Sequence, residues 1–303
     1  MKKAVLYVGI VLIGIVLVDF SFNSILRRSS IGIERKIKLL FEDSSYYDVW
    51  FIGSSRAETS YETNLLEKET DLKFLNAGLQ GAKPQQVFYT LKCMLEKHTA
   101  PKRIFFEIDL HNLLSQQDTI FNTAQYLPFL YIESLRKSYS KIDPRIWYFY
   151  YLPPYELPQY SIRGIAKILR RITNRPSMYD TSYTANGSYH SYLKMNTAPI
   201  INNASAHRHI NVSCHQYIDS IILLAQKKDI DITLITAPMY AGVNTKSIKQ
   251  QIKNIASIHR IPYIDYSFIP DISNNKDLFS DPFHLNTYGS RKFTKLFLKE
   301  VKL

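Results

Sequence analysis

The chain has 303 residues, 46% hydrophobic and 13% aromatic, enough apolar surface for one large domain or two small ones, which excludes global disorder. Its formal net charge of +12 favours anionic surroundings such as lipid head groups, acidic glycans or nucleic acid. No zinc finger, RNP-type aromatic motif or glycine-rich phosphate loop is present, so nucleic acid has charge alone in its favour and is not expected as a partner.

Ala4 to Val18 is an unbroken apolar run behind Lys2 and Lys3, extended by Phe20 and Phe22 and closed by Arg27 and Arg28. With its flanks it approaches the roughly 20 residues that a bilayer needs. A cleaved signal peptide or a buried helix would also read this way, but Asp19-Phe20-Ser21-Phe22 is a poor cleavage site. An uncleaved signal-anchor over residues 1–26 is favoured, with a basic connector over 27–47. Lys2 and Lys3 give an orientation signal opposed by Arg27, Arg28, Arg35, Lys36 and Lys38.

The remaining chain, 48–303, reads as one α/β domain. Asp48 to Gly53 is a first strand, Arg56 to Glu69 a helix, and Lys73 to Asn76 a short second strand. Pro84 fits the first turn of a helix running to Lys97, and Lys102 to Asp109 is a third strand. The alternation predicts a parallel sheet covered by helices, a three-layer α/β/α sandwich of flavodoxin-like type.

Between 110 and 210 the rhythm stops. This stretch is rich in Tyr, Pro and Asn, with Trp147 to Pro154 at its centre and Asn186-Gly187 later, and is too long for a bare loop. It reads as an insertion with its own helices over the edge where the catalytic loops emerge. Its aromatics fit a private core better than a platform for sugar rings.

The rhythm resumes with a helix from Val212 to Lys228, a strand from Ile230 to Thr236, a helix from Thr245 to His259 and a strand from Pro262 to Tyr266. A polar loop follows from Pro270 to Ser280. Asn286 is placed to cap a closing helix, Thr287 to Lys302, whose Phe293, Leu296, Phe297 and Val301 lie at helical spacing.

Two places carry chemistry. The first strand ends in Gly53-Ser54-Ser55, offering a hydroxyl at the carboxyl edge of a parallel sheet, where such folds bind ligands. Asp281-Pro282-Phe283-His284 supplies a base and a carboxylate three residues apart on one loop. Asp281 can fix one ring nitrogen of His284 while the other faces a serine. Turn-and-cap roles for the same residues are the alternative. His207, His209, Cys214 and His215 have a superficial metal look but lack a second spaced pair or an acidic partner. Neither a metal nor a cofactor is called for. Cys93 and Cys214 are the only cysteines; a buried free thiol suits Cys93 in its helix, and a bridge between the two is the minority reading.

Gly53-Ser54-Ser55, then Asn76-Ala77-Gly78-Leu79-Gln80-Gly81, then Asp281 to Asn286 with Gly289 following, resembles the ordered blocks of the SGNH (GDSL-like) hydrolase superfamily. The resemblance is to its membrane-anchored branch acting on cell-envelope polymers, similar to the alginate O-acetylation and teichoic-acid D-alanylation proteins. It covers 48–109 and 212–300. It implies that Ser55, not Ser54, is the nucleophile, that Asp281 and His284 complete the triad, and that the Ser55 and Gly81 amides form the oxyanion hole. The third block departs: Glu107-Ile108-Asp109-Leu110-His111-Asn112 stands where ester-hydrolysing relatives carry Gly-x-Asn-Asp. His111 and Asn112 are the weak candidates for the missing donor.

The resemblance implies serine-dependent acyl-ester chemistry, O-acetyl transfer or ester hydrolysis, on a cell-envelope polysaccharide, with the body of the chain outside the cytoplasm. Two rivals are a catalytically silent glycan-binding module and a scaffold partner of a multi-spanning membrane acyltransferase.

Overall fold

The computed structural model describes residues 2–152, 166, 169–173, 175, 182–196, 209–241 and 246–301. Pro153, Pro154, His207, Thr245 and Lys302, which figure in the expectations above, lie outside them.

The apolar run forms one helix, α1 (Lys2–Arg28), long and apolar enough to cross a membrane. Most of its apolar side chains between Val5 and Phe20 are exposed. The segment expected as a polar connector instead forms α2 (Gly32–Phe41), because Ile33, Ile37, Leu40 and Phe41 fall on one helical face and are buried.

The sheet region follows: β1 (Val49–Gly53), α3 (Ser55–Ser60), α4 (Thr63–Glu69), β2 (Phe74–Gly78), α5 (Pro84–Lys97) and β3 (Arg103–Glu107). The single helix expected over 56–69 is broken at Tyr61, which takes an extended conformation. Two short helices come next, α6 (Glu133–Tyr139) and α7 (Arg145–Tyr151). The chain then returns through α8 (Val212–Lys227), β4 (Asp231–Thr236), α9 (Lys246–His259) and β5 (Tyr263–Asp265). It closes with α10 (Pro270–Ser273), β6 (Phe279–Asp281), β7 (His284–Leu285) and α11 (Thr287–Glu300).

Contacts divide the chain into two units. One joins Met1–Glu42 with Asp118–Thr181. Its packing includes Phe41 edge-on to Tyr139 at 6.0 Å and Tyr126 against Tyr139 at 5.0 Å. The aromatic cluster is therefore only partly a private core: Phe149 is buried, whereas Trp147, Tyr148, Tyr150 and Tyr151 are exposed.

The other unit joins Asp43–Gln117 with Ser182–Leu303 and holds a five-stranded sheet in the order β2-β1-β3-β4-β5, every pair parallel. The fold is α/β, as the alternating pattern predicts. Strand β1 is buried along its whole length, as expected of a central strand covered on both faces. On one face Phe51 stacks on Tyr61 at 4.2 Å and on Phe105 at 5.4 Å, and Phe297 of α11 closes the cluster.

The expected insertion over 110–210 thus splits. Residues 118–181 belong with the amino-terminal segment, and 182–196 lace into the sheet unit: Tyr189 N–H donates to the Glu58 carbonyl and Met195 N–H to the Phe279 carbonyl, each at 2.9 Å. Cys93 and Cys214 are both free and buried.

Candidate active site

Strand order 2-1-3-4-5 reverses direction beside β1, so the carboxyl ends of β1 and β3 flank the crevice where doubly wound sheets bind ligands. The chain turns out of β1 at Gly53, with φ 147° and the Glu107 carbonyl 2.8 Å from where a Cβ would lie, a position that only glycine fills without strain.

The two serines that follow separate in role. Ser54 Oγ accepts the Arg56 N–H at 3.2 Å, capping α3, and donates to Asp109 Oδ2 at 2.8 Å. Its side chain is consumed by structure. Ser55 opens α3 and places its Oγ 2.7 Å from His284 Nε2.

His284 and Asp281 face each other across a hairpin of β6 and β7, with Pro282 and Phe283 at the turn, rather than sitting on an open loop. Asp281 Oδ1 and Oδ2 lie 2.9 and 2.8 Å from His284 Nδ1, and Oδ1 also accepts the Phe283 and His284 amides at 2.9 and 3.1 Å. A carboxylate only accepts, so Nδ1 carries the proton and Nε2 turns its lone pair towards Ser55. Burial works to raise the Asp281 carboxyl, but the His284 ring and these two amides outweigh it and hold it below its ordinary value. The hairpin is fixed from behind by Asn286, whose side chain donates to the Asp277 carbonyl at 2.8 Å while capping α11.

Gly81 sits in the turn after β2 with φ 68°. Its N–H and that of Ser55 meet no acceptor among the described residues. The third block is organised around Asp109, not around a free donor. Asn112 donates its side-chain amide to Asp109 Oδ2 at 2.9 Å and its backbone N–H to the Asp109 carbonyl at 3.0 Å. His111 is exposed, stacks on Phe283 at 4.9 Å and gives its backbone N–H to Asp109 Oδ1. The two weak oxyanion candidates are therefore held as partners of Asp109 and of the hairpin turn.

One cluster escaped the sequence reading. Arg56, fully buried, donates Nε to Glu107 Oε1 at 3.2 Å, Nη2 to the Ala237 carbonyl at 2.5 Å, and Nη1 to the Phe283 carbonyl. Glu107 also accepts from Tyr61 Oη at 2.7 Å and from the Ala237 N–H at 3.0 Å. Burial pushes the Glu107 carboxyl up to about 7 against the pull of Arg56, the Ala237 N–H and Tyr61. The guanidinium joins the ends of β3 and β4 to the turn carrying His284. The available signal was an arginine directly after the serine and a glutamate closing an apolar strand.

Among the described residues no group of three or more His, Cys, Asp or Glu is arranged to hold a metal ion. Exposed His215 lies 3.7 Å from Asp219 one turn along α8, and buried Cys214 Sγ donates to the Ser115 carbonyl.

No family model matches the chain, and no curated protein matches it. Among solved structures, the chain is similar to the psychrotrophic esterase EstA from Pseudoalteromonas sp. at 12% identity, covering 83% of this chain and 95% of that one, with a TM-score of 0.42. It is likewise similar to an acetyl xylan esterase at 14% identity, covering 84% and 99%, with a TM-score of 0.42. An α/β hydrolase from the metagenome of Lake Arreo, Spain, matches at 11% identity over 86% and 96%, with a TM-score of 0.41. Likenesses this distant leave the chemistry to be argued from the chain's own residues.

Proposed function

We propose that the chain performs serine-dependent acyl-ester chemistry of the SGNH type. The observation that carries this is the run of contacts from Ser55 Oγ through the His284 ring to the Asp281 carboxylate. Ser55 Oγ attacks the acyl carbonyl as its proton passes to His284 Nε2, and Asp281 steadies the resulting imidazolium. The tetrahedral oxyanion lies against the Ser55 and Gly81 amides. His284 returns the proton to the leaving alcohol, giving an acyl-Ser55 ester, which a second alcohol or water then cleaves. This chemistry needs no metal or cofactor.

The substrate in this reading is an O-acylated cell-envelope polysaccharide, with transfer to a sugar hydroxyl or hydrolysis as the outcome. The +12 charge suits an acidic polymer, and α1 anchors the chain so that the catalytic unit works outside the cytoplasm. The test is labelling of the purified chain with a fluorophosphonate. Mass spectrometry should place the adduct on Ser55 and find it absent from Ser55→Ala and His284→Ala but retained in Ser54→Ala. An intact fold that takes no label on Ser55 sinks the activated-nucleophile reading.

A second reading is favoured by Asp109. A carboxylate with Asn112 tied to it stands where a third oxyanion donor is expected, which suits a catalytically silent glycan-binding module or a scaffold for a multi-spanning membrane acyltransferase. That reading gains if cellular function survives replacement of both Ser55 and His284.

A further inference from the structure

The carboxyl end of α1 opens on a cavity of about 340 Å³, within the size range of small-molecule sites. Its lining includes Arg28, Arg170 and Arg171 with Ser29 and Ser30. Ile25, Ile31 and Ile172 also line it, Ile172 being largely exposed. The last two arginines of α1 have divided their work. Arg27 donates to the Pro128 carbonyl and lies over the Tyr131 ring at 4.5 Å, holding protein to protein. Arg28 faces the cavity.

Among the described residues, Arg28 and Arg170 meet no carboxylate. Arg171 donates Nη2 to Glu34 Oε2 at 3.0 Å, with both side chains buried. Arg170 Nε is buried and meets no acceptor among the described residues. Like charges gathered in a partly desolvated space repel one another and leave N–H groups to be satisfied, and an anion with several oxygens answers both needs. The guanidinium fork matches phosphate geometry.

The position narrows the source of that anion. The cavity begins at the last turn of the helix long enough to cross a bilayer, where head groups would lie. Trp147, Tyr148, Tyr150 and Tyr151 of α7 are exposed in the same unit, the residue types enriched at the membrane interface. The isoleucines in the lining suit the first carbons beyond a phosphodiester.

We propose that this cavity is a binding site for the phosphate head group of an anionic membrane phospholipid, seating the unit that carries α1 against the membrane surface. The site rests on the anchoring role given to α1, and on nothing in the Ser55 chemistry.

The test uses the full chain. Membranes are first washed with alkaline carbonate; a chain that washes off overturns the anchor and the site with it. The retained chain is extracted in mild detergent and examined by native mass spectrometry with added phosphatidylglycerol or phosphatidylcholine. Phosphatidylglycerol should bind at least tenfold more tightly than phosphatidylcholine. The Arg28→Gln, Arg170→Gln double variant should lose that preference while keeping its helix content and its Ser55 labelling, and Arg170→Lys should keep part of it. The double variant leaves most of the net charge in place, so general attraction to anionic lipid would persist in it unchanged. Equal preference in wild type and double variant, or no preference in either, overturns the site. Displacement of the lipid by millimolar inorganic phosphate overturns the lipid assignment in favour of a free anion.

Discussion

Ser54 and Ser55 are adjacent and chemically identical, yet their surroundings give them opposite roles. Ser54 Oγ is fastened twice, to Asp109 and to the Arg56 amide, whereas the Ser55 hydroxyl meets, among the described residues, only an imidazole nitrogen whose ring is held on its other side by a carboxylate. Asp281 is the residue whose removal separates geometry from charge. Asp281→Asn leaves a side chain of the same size but favours the wrong His284 tautomer, so kcat should fall by about four orders of magnitude with little change in KM. Steady-state kinetics on a chromogenic acetyl ester measures this. The wild-type pH profile follows from the same residue. Because Asp281 is held below the ordinary carboxylate range, it stays ionised where histidine titrates. The acid limb of kcat/KM should therefore show a single titration. Two titrations there would mean that Asp281 is protonated in the same range.

Several elements around the site are short: α3 has 6 residues, α4 has 7, and β6 and β7 have 3 and 2. The helical pattern from 56 to 69 is interrupted at Tyr61, whose ring stacks on Phe51 while its hydroxyl reaches Glu107. A continuous helix would carry that ring away from the core. The Arg56 cluster ties together β3, β4 and the β6–β7 hairpin, so Arg56→Met should disturb all three at once. Leaving Glu107 buried without its counter-charge costs about 3–5 kcal/mol, read as a drop in the urea midpoint. The sign with pH follows from Glu107. Its raised value means that its contribution to stability is present below the ordinary glutamate range and lost as pH rises through about 7. The Arg56→Met deficit should therefore widen over that interval, because the carboxylate that forms there has lost its partner. A deficit constant from pH 5 to pH 8 would contradict a buried pair of this kind.

At the scale of the molecule, the chain combines a helix long enough for a membrane with a sheet unit carrying the candidate triad. Met1 to Val18 can be removed without touching Asn23 or Leu26, which are buried. The shortened chain should leave the membrane fraction and still label at Ser55, with labelling rate within about twofold of the full chain. Loss of labelling with an intact circular dichroism spectrum would tie the anchor to the site instead.

The apolar strands, the glycine turn after β1, the Asn286 cap and the helix beginning at Pro84 were legible because each is a local signal: a run of side chains, a backbone requirement or a hydrogen bond made within a few residues. Asp281 and His284 were legible as residues, but their hairpin was not, since strands of two and three residues carry no period. The Arg56–Glu107 contact spans 51 positions and left only an out-of-place charge at each end. The sequence alone determined an α/β chain with an apolar leading helix and a serine at a sheet edge. The family resemblance points to Ser55 over Ser54, but only tertiary structure decided that Ser55 meets the imidazole while Ser54 is tied to Asp109, that Asn112 and His111 belong to Asp109 and its neighbours, and that 118–181 joins the amino-terminal helices. Each of those outcomes depends on groups far apart in the chain arriving within hydrogen-bond or packing distance, and local propensity does not encode such distances.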